Sequence, residues 1–321
     1  MSNTADWLEQ LISGHGDSPR PQYSFAVDTA VLQLPTGCAL ATSVDTLVCG
    51  VHFTMTARPA DIGYKSLAVN LSDLAAMGAS PSAALLSLTA TAINTGWLAE
   101  FGRGFKTLAD QFDVQLLGGT FNRGPLAVTV NVYGHLPAQH ALRRDNATAG
   151  DLIFVTGTLG DAGLALAMAR GELAAAACTV HRRYLDARLN RPKPRIAEGI
   201  ALRSLASSAI DVSDGLLADL GHVLTASHVG ATIDVARLPL SQAMMSSIDL
   251  KEARRLALSA GDDYELCFTV APDRLAELRT AEAHLHCPIQ HIGTIDRAGG
   301  LRCSDEACLW AVTRLGYQHF A

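Results

Sequence analysis

Apolar and polar positions in this chain change period many times, and those changes outline its elements. In "ADIGYKSLAVNLSDLAAMGA" (60–79) the apolar spacing is helical. At about 100° per residue, Leu67, Leu71 and Leu74 form a core-facing stripe, and Ser66, Asn70, Asp73 and Met77 share the adjacent face. Gly78 and Pro81 stop this long helix. "AVLQLPTGCALATSVDTLV" (30–48) instead predicts two strands joined at Pro35-Thr36-Gly37. A strand at 83–90, a helix at 96–112 and strands at 114–119 and 125–136 follow, and a short amphipathic helix is expected at 7–12.

The stretch 137–150, "PAQHALRRDNATAG", is polar and turn-rich and marks a boundary between domains at 1–137 and 138–321. Beyond it, "DLIFVTGTLGDAGLALAMA" (151–169) reads as strand, glycine loop and helix. Helices are expected at 194–205, 215–227 and 272–283, and strands at 208–212, 231–236 and 264–270, with short strands in the tail. Strands and helices mix without regular βαβ spacing, which indicates an α+β (mixed α/β) fold.

At 321 residues and 49% hydrophobic, the chain can bury a large core, and its length favours two domains. A net charge of −6 makes nucleic acid or an anionic membrane a poor partner. No apolar run approaches the ~20 residues that span a bilayer, and the first residues lack the pattern of a secretion signal. Seven cysteines without a C-x-x-C pair fit reduced thiols in the cytoplasm.

Acids recur where strands stop or helices begin. Asp45 interrupts an apolar strand and has His52 seven residues later, and Asp73 lies beside the leucine stripe, where a carboxylate needs a partner. Asp211 ends a strand before Ser213-Asp214-Gly215, and Asp262-Asp263 follow Gly261. Taken singly, Asp214 reads as a helix N-cap, and Asp28 and Asp262 as ordinary strand-start or turn acids. Together, acids without His or Cys ligands suit Mg²⁺, and hence phosphoryl transfer. The loop Gly157–Gly163 could offer helix N-terminal amides to a phosphate, but it lacks a G-K-[ST] ending, so a tight turn with close helix packing is favoured. His284 and His286 have no evident third ligand. "LLGGTFNRG" (116–124) reads as a strand that bends on two glycines and offers Arg123 in a turn suited to phosphate.

In order along the chain, "SVDTLVCGVHF", "DIGYKSLAVNLSDLAAMGA", "GGTFNRGPL", "GDLIFVTGTLGD", "SAIDVSDGL", "GDDYELCFTV" and "GYQHF" resemble the thiamine-monophosphate kinases, a branch of the PurM-like (aminoimidazole-ribonucleotide-synthetase-like) superfamily. The resemblance covers nearly the whole chain. It implies a PurM-like two-domain fold: an N-terminal α/β domain binding ATP and Mg²⁺, with strands pairing across a homodimer, and a C-terminal α/β domain. ATP and thiamine monophosphate would bind with several Mg²⁺ ions, and the γ-phosphoryl group would pass directly to the substrate phosphate. No protein nucleophile is then required, because alignment and charge neutralisation carry the reaction. By position, Asp28, Ser43, Asp45, Asp73, Asp211 and Asp214 match metal sites. Gly119, Thr120, Arg144 and Ser213 match nucleotide contacts, and His52, Asp262 and Tyr317 match substrate contacts. By the same resemblance Arg123 would be a further phosphate contact.

The chain departs from the family pattern in four places. Val27 and Val44 replace an acid and a threonine, and Asp262 replaces a longer glutamate. Thr120 stands where the family has a metal-binding aspartate, so weaker Mg²⁺ binding is expected, with a cost of ~10²–10³ in rate if one stabiliser is lost. Thr120 keeps two other readings open: a nucleotide or thiamine-phosphate binder without turnover, and a kinase for another phosphate acceptor.

Overall fold

A computed structural model describes residues 31–92, 94–173, 177–283, 285–305, 308–309 and 316–317. The helix expected at 7–12, and also Asp28 and His284, lie outside the described residues. The chain divides into two compact units, one of 1–74 and 79–139 and the other of 75–78 and 140–321.

The first unit contains β1 (Cys38–Val48), α1 (Pro59–Ala76), β2 (Ser80–Ala90), α2 (Thr95–Gln111), β3 (Gln115–Arg123) and β4 (Ala127–Pro137). Its sheet runs β1-β4-β2-β3, antiparallel except for the parallel β2–β3 pair. Alternation along β4 buries Val128, Val130 and Val132 completely, and Ala84, Leu86 and Leu88 of β2 line the same face. Leu67, Leu71 and Leu74 of α1 are also buried, each contributing about 1.5–3 kcal/mol. The adjacent face of α1 is buried only in part: Ser66 and Asn70 are inaccessible, with the Asn70 amide donating to the Ser66 carbonyl, whereas Asp73 is half-buried and Met77 exposed. The strand expected before Pro35 does not form within 31–34. Val31 is exposed there.

The second unit contains β5 (Leu152–Thr156), α3 (Asp161–Ala169), α4 (Thr179–Asn190), α5 (Ile196–Leu202), β6 (Ser208–Asp211), α6 (Leu216–Ser227), β7 (Gly230–Asp234), α7 (Gln242–Met245), α8 (Leu250–Ser259), β8 (Leu266–Val270), α9 (Leu275–Glu282), β9 (Ile289–Asp296), β10 (Gly300–Asp305) and β11 (Cys308–Leu309). Its mixed seven-stranded sheet runs β11-β10-β7-β9-β5-β8-β6. Ile153, Val155, Ile233, Ile292 and Ile295 of that sheet pack with Leu216, Leu217, Leu220 and Val223 of α6. A second cluster joins Leu164, Leu185, Met244 and Leu256 across α3, α4, α7 and α8. The sequence pattern misses α4 because its only buried residue is Leu185, leaving almost no apolar stripe.

Among the described residues no helix is long and apolar enough to cross a membrane. Cys38, Cys49, Cys178, Cys267, Cys287 and Cys303 are free thiols.

Candidate active site

In the first unit, strand alternation and one helix position the acids. Ser43, Asp45 and Leu47 occupy the more buried face of β1, and Val44 and Thr46 the exposed one. The Ser43 hydroxyl donates a short hydrogen bond to Oδ2 of Asp73 on α1, the partner that this acid requires. His52 follows β1 in a tight loop, where the Val48 amide donates to Nδ1 at 3.0 Å. That contact puts the proton of the neutral ring on Nε2. The nearly buried Lys65 reaches the His52 carbonyl at 3.4 Å.

The segment after Gly118 corrects the sequence reading. It is not a turn: β3 continues to Arg123, paired with Leu85–Ala90 of β2 after a bulge at Ala84/Leu85. Gly119 is needed for close approach, since a Cβ there would lie 2.1 Å from the Leu86 carbonyl oxygen. Register sorts this stretch by face. Gly119 lies in one cross-sheet row with Leu86, Val130 and Asp45. Thr120 lies in the next row, with Ser87, Thr129 and Thr46, on the opposite face. Contacts agree with that assignment: Thr46 and Thr129 hydroxyls meet at 2.8 Å, and Asn122 donates to Thr120 at 3.4 Å. Arg123 returns to the face of Gly119 and is exposed.

In the second unit, backbone hydrogen bonds join the expected residues. β6 ends at the buried Asp211, opposite Leu266 of β8. Pairing then continues into the loops: Val212 donates to Glu265, Tyr264 to Val212 and Asp262 to Ser213, each at 2.8 Å. Tyr317 donates to the Asp214 carbonyl at 2.9 Å. Asp211, Ser213, Asp214, Asp262 and Tyr317 therefore lie on one continuous set of bonded segments. Gly261 permits the contact, because a Cβ there would sit 2.5 Å from the Ser213 carbonyl oxygen.

Asp214 is not the helix cap that its position suggests. Gly215 occupies that position without a side-chain cap. The work of a cap falls to Asp219, whose Oδ2 accepts from the amides of Ser213, Asp214 and Gly215, each at 3.0 Å. Burial, with Asp214 nearby, pushes the Asp219 carboxyl up to about 7 against the pull of those three amides. The sequence reading missed Asp219. Its signal was an acid interrupting the apolar run "LLADL", the feature that had singled out Asp45 and Asp73.

Two other candidates fare differently. In the loop at 157–163 three amides are engaged by neighbouring segments: Gly157 donates to Pro288, Leu159 to Pro239, and Gly160 to the Asp263 carboxylate. Its structural role is that of a packed turn. Arg144 is exposed, and its carbonyl accepts from Ser227, at the opposite end of α6 from Asp214. Among the described residues no group of three or more His, Cys, Asp or Glu side chains is close enough to hold a metal ion.

Residues 26–136 match the AIR synthase related protein N-terminal domain, and 148–306 the C-terminal domain. The thiamine-monophosphate kinase of Salmonella typhimurium is 46% identical over 92% of this chain and 90% of its own length. That of Haemophilus influenzae is 39% identical over 87% of this chain and 84% of its own. A crystal structure of thiamine-monophosphate kinase from Stenotrophomonas maltophilia K279a superposes with a TM-score of 0.84 at 44% identity, covering 90% of this chain and 93% of that one. "AaThiL complexed with AMPPCP and TMP" superposes at 0.78 with 28% identity, covering 90% and 89%. Carrying both AIR synthase related domains and this identity over nearly its whole length, the chain belongs to the thiamine-monophosphate kinase family.

Proposed function

We propose that this protein transfers the γ-phosphoryl group of ATP to the phosphate of thiamine monophosphate, forming thiamine diphosphate and ADP. The observation carrying this reading is the bonded set of Asp211, Ser213, Asp214, Asp262 and Tyr317, which joins expected metal, nucleotide and substrate positions. Relatives named for this activity support it, as does the related ThiL structure described with AMPPCP and TMP.

Ser43, Asp45 and Asp73 in the first unit and Asp211 and Asp214 in the second are the residues that would hold Mg²⁺. Their all-oxygen chemistry suits this ion, which takes one or two carboxylates and fills its shell with water and phosphate oxygens. Bound Mg²⁺ supplies charge neutralisation on the phosphates. The chain's own part is to fix these carboxylates: Ser43 holds Asp73, and Asp219 holds the loop bearing Asp214. Asp262, Tyr317 and His52 are assigned to thiamine monophosphate, with the Nε2 proton of His52 as a donor. The substrate phosphate is already an anionic nucleophile, so no side chain need attack.

Thr120 carries less weight against catalysis than its chemistry first suggests. Its row faces away from Asp45, so the loss of charge falls outside the Ser43–Asp45–Asp73 face. Homodimer formation through the first unit is part of the same reading. β1 presents an edge, and Leu40 and Val44 are 47% and 57% exposed on it. Use of ATP suits a cytoplasmic enzyme.

Incubation with ATP, Mg²⁺ and thiamine monophosphate tests the assignment. Thiamine diphosphate and ADP are expected in equal amounts. Tight binding of both substrates with no product over a wide Mg²⁺ and Mn²⁺ range would instead establish a binder without turnover.

A further inference from the structure

The turn 261–264 combines two features that ordinary loops lack. Asp262 and Tyr264 both have left-handed backbones, with φ of 68° and 51°, and the residue between them, Asp263, is fully buried. Non-glycine residues tolerate this conformation poorly, and it persists only where the surroundings over-determine it. They do so here. Asp262 and Tyr264 are bonded to Ser213 and Val212, and Asp263 accepts from the Gly160 amide at 2.7 Å. The next acid, Glu265, is inaccessible and takes a two-pronged contact from Arg195, at 2.6 Å to each oxygen, with Arg188 at 3.0 Å. Buried anchors therefore alternate with the two left-handed residues.

That geometry has one consequence at the surface of the turn. With Asp263 directed into the core, the Tyr264 hydroxyl donates to Oδ1 of Asp262 at 3.1 Å. Tyr264 is buried, at 8% exposure, so its packed ring restricts where the hydroxyl can sit. Aspartate has two side-chain torsions, and a bond from a packed donor restricts the plane of its carboxylate.

We propose that Tyr264 is a positioning residue that orients the Asp262 carboxylate toward thiamine monophosphate, the left-handed turn anchored by Asp263 and Glu265 being the device that holds the hydroxyl in place. This inference rests on the substrate reading given above. It assigns Tyr264 an effect on thiamine monophosphate and none on ATP.

Calorimetric binding of thiamine monophosphate, and separately of a non-hydrolysable ATP analogue, to the wild type, Tyr264→Phe, Asp262→Asn and the double variant tests it. Tyr264→Phe keeps the packed ring. It should raise the Kd for thiamine monophosphate about tenfold, leave the nucleotide Kd and the Tm unchanged, and add nothing to the effect of Asp262→Asn. An unchanged thiamine monophosphate Kd in Tyr264→Phe overturns the inference, and so do effects that add in the double variant. A lower Tm with both Kd values raised assigns the hydroxyl to folding and also overturns it. A wild-type protein that binds the nucleotide analogue but not thiamine monophosphate overturns the substrate reading itself, an outcome distinct from the others.

Discussion

The two units fix their acids by different means. In the first, Ser43 and Asp45 owe their placement to alternation along β1, and Asp73 to the turn of α1. In the second, Asp214 and Asp262 lie in loops, placed by backbone bonds to neighbouring segments and by Asp219 collecting three amides. Regular structure tolerates local change, because many bonds share the load. A loop whose three successive amides share one carboxylate depends more on that carboxylate.

The largest effects should come from the acids themselves. Asp73→Asn and Asp214→Asn should each lower kcat/KM for thiamine monophosphate by ~10²–10³ without a change in fold, as loss of one electrostatic stabiliser does. Steady-state kinetics beside circular dichroism would check this, and a loss below tenfold in either would remove that acid from the metal set.

Asp219 separates the two modes of placement. Asp219→Ala leaves three amides at a partly buried helix start without their acceptor and should cost about 1–3 kcal/mol of stability, measurable by denaturant titration. Asp219→Asn keeps an acceptor oxygen and should retain most of it. On the first unit, Ser43→Ala removes one hydrogen bond to Asp73 and should cost less, about 0.5–1.5 kcal/mol. Equal losses in Asp219→Ala and Ser43→Ala would erase the distinction.

These two modes also explain how much was legible beforehand. Asp45 and Asp73 stood out because a period of 2 or 3.6 places a residue on a face, and both acids broke an apolar pattern. Order along the chain carried the two-domain fold for a similar reason. Taken singly, Asp214 reads as a cap because its position before Gly215 fits one, and only three-dimensional contacts show that Asp219 takes this role from four residues inside the helix. The turn expected at Gly118-Gly119 does not form, because Gly119 serves close approach between strands. Local sequence does not distinguish those two uses. The left-handed pair at Asp262 and Tyr264 is likewise imposed by buried anchors from distant segments.

Asp263 offers a smaller test of those anchors. Burial drives its carboxyl well above the usual carboxylate range, offset only in part by Arg188 and the Gly160 amide. A carboxyl raised on folding contributes stability that is present below its ordinary range near ~4 and is lost as pH rises through the elevated value. The wild type should therefore melt higher at pH 5 than at pH 8 through this group, and Asp263→Asn should narrow that difference. Thr120→Asp should have the smallest effect. Facing away from Asp45, the added carboxylate should change kcat/KM less than about threefold at saturating Mg²⁺. A gain of tenfold or more would mean that position 120 belongs with the metal set after all.

The most direct test of the central claim is ³¹P NMR of the purified protein with ATP, Mg²⁺ and thiamine monophosphate. Phosphorus signals of thiamine diphosphate and ADP should rise together in equal amounts while those of both substrates fall, and Asp214→Asn should slow that exchange by about two orders of magnitude or more. Unchanged substrate signals in the wild type, or ADP appearing with free phosphate and no thiamine diphosphate, would contradict the account.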